Sequence, residues 1–213
     1  MQIAFLLYDR FTCLDAIGPL DVLSNLPGAE PVFVAEKRGT VRNDSGAAGL
    51  VADRSFEEVT APDILVVPGG LGTQMFLDHQ PTLAWIRKVH ESTKWTTSVC
   101  SGSLLLAAAG LLNGAPATTH WIARDLLAAL GARPVPERVV VHGKIITAAG
   151  VSSGIDMALG LVQRLHGDDM AKAVQLAIEY DPQPPFDCGA LEKADERIVE
   201  MARAALMAGL EQR

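Results

Sequence analysis

Cys100 stands in the run Ser98-Val99-Cys100-Ser101-Gly102, after a β-branched stretch that begins at Trp95 and before an Ala/Leu-rich stretch that ends at Gly110. A cysteine at a strand-to-helix switch, with small residues on both sides, has the pattern of a nucleophile elbow. That turn needs small neighbours because backbone segments approach closely, and it lifts its side chain clear of the sheet. It also places the side chain at a helix N-terminus, where unpaired N–H groups and the positive dipole end favour an anion. The pattern predicts a nucleophilic Cys100 with a lowered pKa, largely thiolate at neutral pH. The plain alternative is a buried, inert cysteine, and the small flanks weigh against it.

Two other stretches offer chemistry. The glycine cluster Pro68-Gly69-Gly70-Leu71-Gly72 follows the apolar run Asp63-Ile64-Leu65-Val66-Val67. Glycines directly after a buried parallel strand bring main-chain N–H groups to the carboxyl edge of the sheet, where ligands bind in doubly wound folds. The dinucleotide and phosphate-loop patterns are absent, which leaves a plain turn or an oxyanion hole facing the elbow, with Gly69 and Gly70 as donors. Asp15 opens the helical run Asp15–Leu23 and, taken alone, reads as an N-cap. Beside a reactive thiol it becomes a candidate general acid and base.

These residues need a sheet and its helices to bring them together. Apolar strands are expected at Gln2–Tyr8, Pro31–Glu36 and Asp63–Val67, with a loop from Asp9 to Leu14. Hairpins are expected over Arg38–Phe56, turning at Asn43-Asp44-Ser45-Gly46, and over Arg138–Thr147, turning at His142-Gly143. Ala117-Thr118-Thr119-His120 reads as a short extended segment. Helices are expected over Gln80–Ser92, Trp121–Leu130, Ser152–Leu165 and Asp168–Glu179, with a last one from about Leu191. Strands alternating with helices indicate an α/β fold, a doubly wound sandwich whose mostly parallel central sheet carries helices on both faces. With no repeat, low-complexity tract or linker, residues 1–213 read as one domain.

Composition narrows the partners. A formal charge of −7 on 213 residues, with 49% hydrophobic and 20% charged, argues against nucleic acid and anionic membrane surfaces. The three cysteines (Cys13, Cys100, Cys188) have no metal-like spacing and suggest no disulfide framework, which fits a reducing cytoplasm. Met1-Gln2-Ile3 runs straight into a strand pattern, so no secretory leader is expected. No apolar run reaches the length of a membrane span.

Together, Asp15 in Asp-Ala-Ile-Gly-Pro-Leu-Asp-Val, Pro68-Gly69-Gly70, the Ser-Val-Cys-Ser-Gly elbow and Ala117-Thr118-Thr119-His120-Trp121 resemble the DJ-1/PfpI superfamily over nearly the whole chain. The elbow core, Thr118–Trp121 and the segment from Gln175 to Phe186 resemble its isonitrile (isocyanide) hydratase branch most. The resemblance implies a flavodoxin-like fold, a homodimer, a small-molecule isonitrile substrate and neither metal nor organic cofactor. Two departures from relatives matter. Peptidase-like members carry His directly after the nucleophile, where this chain has Ser101. Chaperone and glyoxalase-like members carry Glu where this chain has Asp15. Hydratases of this type tend to have Thr at the position of Ser101, which keeps the hydroxyl but loses a methyl that limits its rotation.

The chemistry so implied is addition of water to R–N≡C, giving an N-substituted formamide. Cys100 attacks the terminal carbon to form a thioimidate, and Asp15 acts as general acid and then as base. Main-chain N–H groups near Gly70 and Ser101 complete the anion-stabilising pocket, and the Ser101 hydroxyl bonds Asp15. His120 lines the pocket or fixes a neighbouring loop, the structural role being favoured. Cys13 and Cys188 are non-catalytic. The alternative is a ligand-sensing or stress-response protein of the chaperone, deglycase or peptidase type, without hydratase activity. Such domains also occur in AraC-like regulators, but this chain shows no basic patch for DNA.

Overall fold

The computed structural model describes residues 1–211. By its packing the chain divides into two compact units, residues 1–178 and a smaller one from Glu179 onward, where the sequence reads one domain.

The first unit alternates strands and helices as its periodicity predicts. In chain order these are β1 (Gln2–Leu6), α1 (Cys13–Leu23), β2 (Glu30–Ala35), the hairpin β3 (Gly39–Arg42) and β4 (Gly49–Ala52), β5 (Arg54–Ser55) and β6 (Ile64–Val67). After a 3-10 turn at Leu71–Phe76 come α2 (Gln80–Ser92), β7 (Trp95–Val99) and α3 (Gly102–Ala108). Then follow β8 (Pro116–Ala117), a 3-10 turn at Trp121–Ala123, α4 (Arg124–Ala129) and β9 (Arg133–Pro134). The unit closes with the hairpin β10 (Val139–His142) and β11 (Ile145–Ala148), then α5 (Ser153–His166) and α6 (Asp168–Ala177).

Seven strands form the central sheet in the order β10-β11-β7-β6-β1-β2-β5. All neighbours are parallel except the edge hairpin β10–β11. Both faces are buried, and β6 shows why its run is apolar throughout. Leu65 and Val67 face a core shared with Ile86 of α2, Leu104 and Leu105 of α3 and Leu127 of α4. Ile64 and Val66 face the opposite core, with Val22 of α1, Met157 and Leu161 of α5 and Val174 of α6. The register sets Val67 beside Ser98, and Ala148 beside Val99, so β6, β7 and β11 end level at the carboxyl edge. The three connections leaving that edge carry the glycine cluster, the elbow and the entry to α5.

Helix α1 lies closely against α5. A Cβ on Gly18 would come within 3.0 Å of Ile155 Cγ1, and one on Gly154 within 3.2 Å of Pro19 Cγ. α1 begins at Cys13 with Thr12 as N-cap, two residues earlier than the sequence suggests. Asp15 is therefore inside the first turn and not its cap.

The second unit opens on a proline-rich irregular stretch, then a 3-10 turn at Leu191–Lys193 and α7 (Glu196–Glu211). Asp195 Oδ1 accepts the Ile198 N–H at 3.0 Å, which starts α7 later than the predicted Leu191. No helix among the described residues is long and apolar enough to cross a membrane.

Candidate active site

Cys100 sits between the last residue of β7 and the start of α3 with φ +58°, a left-handed conformation uncommon outside glycine. Its N–H donates to Ala149 C=O at 2.8 Å, and its own C=O accepts the Thr119 hydroxyl at 3.0 Å. The small neighbours are steric requirements. A Cβ on Gly102 would lie 2.2 Å from Val67 C=O, and one on Gly69 would lie 2.5 Å from Ser101 N. The strand-to-helix elbow predicted from the sequence is thus present, and the end of β6 and the elbow itself leave no room for larger side chains there.

Asp15 reaches the elbow from α1. It is fully buried, and its Oδ2 accepts the Gly69 N–H at 2.9 Å. Oδ1 is also buried but has no hydrogen-bond partner among the described residues. Burial pushes the carboxyl up to about 8, while the Gly69 N–H and the adjacent Cys100 side chain pull it down and Asp44 adds to the rise. The acid therefore holds its proton at neutral pH, mainly because it is desolvated.

The expected low-pKa thiolate is corrected by this burial. Cys100 is 7% exposed, and burial first, then the Asp15 carboxylate, push its thiol up. The N–H groups of Val151 and Ser101 and the Ser101 hydroxyl pull it down but do not prevail. Protonation of Asp15 removes the second of the opposing causes. At rest the pair is thus a thiol beside a carboxylic acid, each kept neutral chiefly by its own burial.

Ser101 is at the site, but its hydroxyl does not bond Asp15 as expected. It accepts the Gly70 N–H at 3.0 Å and lies 2.8 Å from Thr73 Oγ1. Thr73 in turn meets the Tyr8 hydroxyl at 2.9 Å, and Tyr8 donates to Pro68 C=O at 2.8 Å. The glycine loop needs its glycines: a Cβ on Gly70, at φ +152°, would lie 2.4 Å from Arg10 C=O. Neither of its first two N–H groups is an open oxyanion donor, however, because Gly69 serves Asp15 and Gly70 serves Ser101. The N–H groups facing the sulfur are those of Val151 and Ser101.

His120 packs against the loop after β11. Its Nδ1 accepts the Ile122 N–H at 3.4 Å, and its ring covers Gly150, where a Cβ would meet Cδ2 at 2.7 Å. Burial, then Arg124, pushes its pKa down, so the ring is neutral. Cys13 is partly buried and Cys188 exposed. Sequence reasoning missed Val151, Tyr8 and Thr73. Val151 follows Gly150 at the end of β11 and has φ +24°, but nothing in a valine marks a main-chain donor. Among the described residues no group of three or more His, Cys, Asp or Glu is arranged to hold a metal ion.

A parallel sheet with a cysteine elbow, a buried acid and a glycine loop at its carboxyl edge defines a class, and the comparisons agree: the chain belongs to the DJ-1/PfpI family, whose profile matches residues 1–164. Among curated relatives, the isonitrile hydratase of Pseudomonas putida is 44% identical over 95% of this chain and 89% of its own length. The HTH-type transcriptional regulator GbdR of Pseudomonas aeruginosa is 27% identical over 84% of this chain, which spans 51% of the regulator. Among solved structures, a THiJ/PfpI family protein from Pseudomonas syringae superposes with a TM-score of 0.93 at 38% identity, covering 99% of this chain and 87% of that one. The flavodoxin-like α/β architecture is the one these relatives share.

Proposed function

We propose that this enzyme hydrates isonitriles to N-substituted formamides through Cys100, with Asp15 moving the protons. The observation that carries the reading is the pairing of a buried thiol with a fully buried carboxyl whose Oδ1 has no partner among the described residues. The likeness to the Pseudomonas putida isonitrile hydratase supplies the substrate class.

The terminal carbon of R–N≡C takes both a nucleophile and a proton. Cys100 Sγ bonds to that carbon as Asp15 Oδ1–H gives up its proton to it, and the carboxyl takes up the thiol proton. The product is the thioimidate R–N=CH–S–Cys100, with Asp15 again protonated. Asp15 then protonates the imine nitrogen while accepting a proton from water, whose oxygen adds to the carbon. Collapse of R–NH–CH(OH)–S–Cys100 releases R–NH–CHO and returns the proton to sulfur. Ser101 and Val151 N–H groups support charge on sulfur during bond formation and release. No step needs a metal or organic cofactor.

Homodimeric assembly in the cytoplasm belongs to the same proposal: the exposed Leu176, at 80%, supports the first, and three free cysteines fit a reducing compartment. The second reading is a ligand sensor, favoured by the similarity to GbdR. Incubation with a simple aryl isonitrile and detection of the formamide decides between them. Formamide from wild type and none from Cys100→Ala supports the hydratase; none from either supports the sensor.

A further inference from the structure

Thr12 occupies the N-cap of α1, yet its hydroxyl does not cap the helix. It donates to Asp44 Oδ2 at 2.7 Å, across a sequence separation of 32. Asp44 lies in the turn joining β3 and β4, and that turn is tied to residues 10–12 twice more. The Asp44 N–H donates to Phe11 C=O at 2.9 Å, and the Arg10 N–H donates to Arg42 C=O at 2.9 Å. On the other side the Thr12 N–H donates to Gly69 C=O at 2.8 Å, and the Gly72 N–H to Arg10 C=O at 3.0 Å. Residues 10–12 therefore form a strap clamped between the hairpin turn and the loop whose Gly69 N–H holds Asp15.

A threonine at the N-cap ordinarily satisfies one orphan N–H of its helix, a contact worth about 1 kcal/mol. Here that contact is given up for a carboxylate brought from another element. A carboxylate at a helix N-terminus is favoured by the dipole, but close to another carboxyl it also opposes a second negative charge. The titratable groups acting on Asp15 or on the same spot are Cys100 from the elbow, Tyr8 after β1, Cys13 at the head of α1 and Asp44 from the hairpin. Arg10 and Arg42 are the basic residues of the strap and the hairpin.

We propose that the Thr12–Asp44 pair is a positioning device for the acid: it fixes the first turn of α1 against the Gly69 loop and brings a second carboxylate to the N-terminus of the helix that carries Asp15. Asp15 thereby enters the reaction in place. The pair acts through Asp15 and touches no substrate. The inference deepens the hydratase reading and rests on it for the role of Asp15.

Two variants separate the two halves of the device. Asp44→Asn keeps an acceptor for Thr12 and removes the charge; Thr12→Val removes the bond and keeps the charge. In Asp44→Asn the descending basic limb of kcat/KM moves to lower pH by roughly half a unit or more. In Thr12→Val the plateau falls on the order of tenfold, as misplacement of a reacting group costs, and the limb stays where wild type has it. Iodoacetamide labelling of Cys100, followed by peptide mass spectrometry without isonitrile, reads the same pair independently of turnover. Its onset moves to higher pH in Asp44→Asn, because Asp15 then ionises at lower pH and its carboxylate opposes the thiolate. Labelling onset and pH limb both unmoved in folded Asp44→Asn, or an unmoved plateau in Thr12→Val, overturn the proposal even if wild type is a hydratase. Absence of formamide from wild type overturns the hydratase reading instead, and the labelling onset still decides this one.

Discussion

The Asp15 carboxyl accepts the Gly69 N–H at 2.9 Å through Oδ2, and Oδ1 is buried without a hydrogen-bond partner among the described residues. One oxygen fixes the group, and in the proposed mechanism the other holds and passes the proton.

That arrangement costs stability in a defined pH window. Folded, Asp15 keeps its proton up to about pH 8; unfolded, it loses the proton at about pH 4. Folding takes up a proton between those values, so stability falls as pH rises across the window. Asp15→Asn keeps the acceptor for Gly69 and removes the ionisation. It is expected to be more stable than wild type by on the order of 3 kcal/mol at pH 7, with the difference fading towards pH 4. Its turnover should be lost. Urea unfolding at both pH values, with a formamide assay, checks both halves.

The elbow's glycines are not interchangeable with other glycines. Gly102→Ala drives a Cβ to 2.2 Å from Val67 C=O, and backbone on both sides must move. A loss of about 2 kcal/mol or more is expected, together with most of the activity. Gly28→Ala, at φ +70° with open space around it, should cost about 1 kcal/mol and leave activity intact. Thermal melts of the two variants side by side test the difference.

Much of this was legible in the sequence. The elbow announces itself because close backbone approach admits only small residues at Gly102 and Gly69, a constraint that residue types record. The buried strands of the sheet are recorded in the same way by unbroken apolar runs such as Ile64–Val67. Asp15 was legible as a candidate acid only beside Cys100 and read alone as a possible cap, because a carboxylate spent on a distant N–H looks the same in sequence as one spent on its own helix. The direction of the Cys100 shift was not legible: a helix N-terminus is a local pattern, whereas burial depends on everything packed over it. Val151 acts through its main chain, and Tyr8 meets Thr73 across 65 residues, so neither leaves a local signature.

Ser101 is expected to act through its place in the Gly70–Ser101–Thr73 chain. Ser101→Ala removes the acceptor for the Gly70 N–H and a donor to the sulfur, and should lower kcat on the order of tenfold while the fold persists. Ser101→Thr restores the hydroxyl and should recover most of the rate. Equal kcat in all three proteins would remove Ser101 from the mechanism.

His120→Gln tests the opposite expectation. Because the ring packs over Gly150 and bonds Ile122, the variant should lose about 1 kcal/mol of stability and keep kcat within roughly threefold. A loss of a hundredfold at unchanged stability would return His120 to the chemistry.

The central claim is the covalent bond between Cys100 and the substrate carbon. Rapid acid quench of the enzyme with an aryl isonitrile, followed by mass spectrometry of the Cys100 peptide, tests it directly. The account predicts a transient increase equal to the mass of the whole isonitrile on that peptide, decaying as formamide appears and absent from Cys100→Ala. Formamide produced by Cys100→Ala at the wild-type rate, with no adduct on Cys100 in wild type, would contradict it.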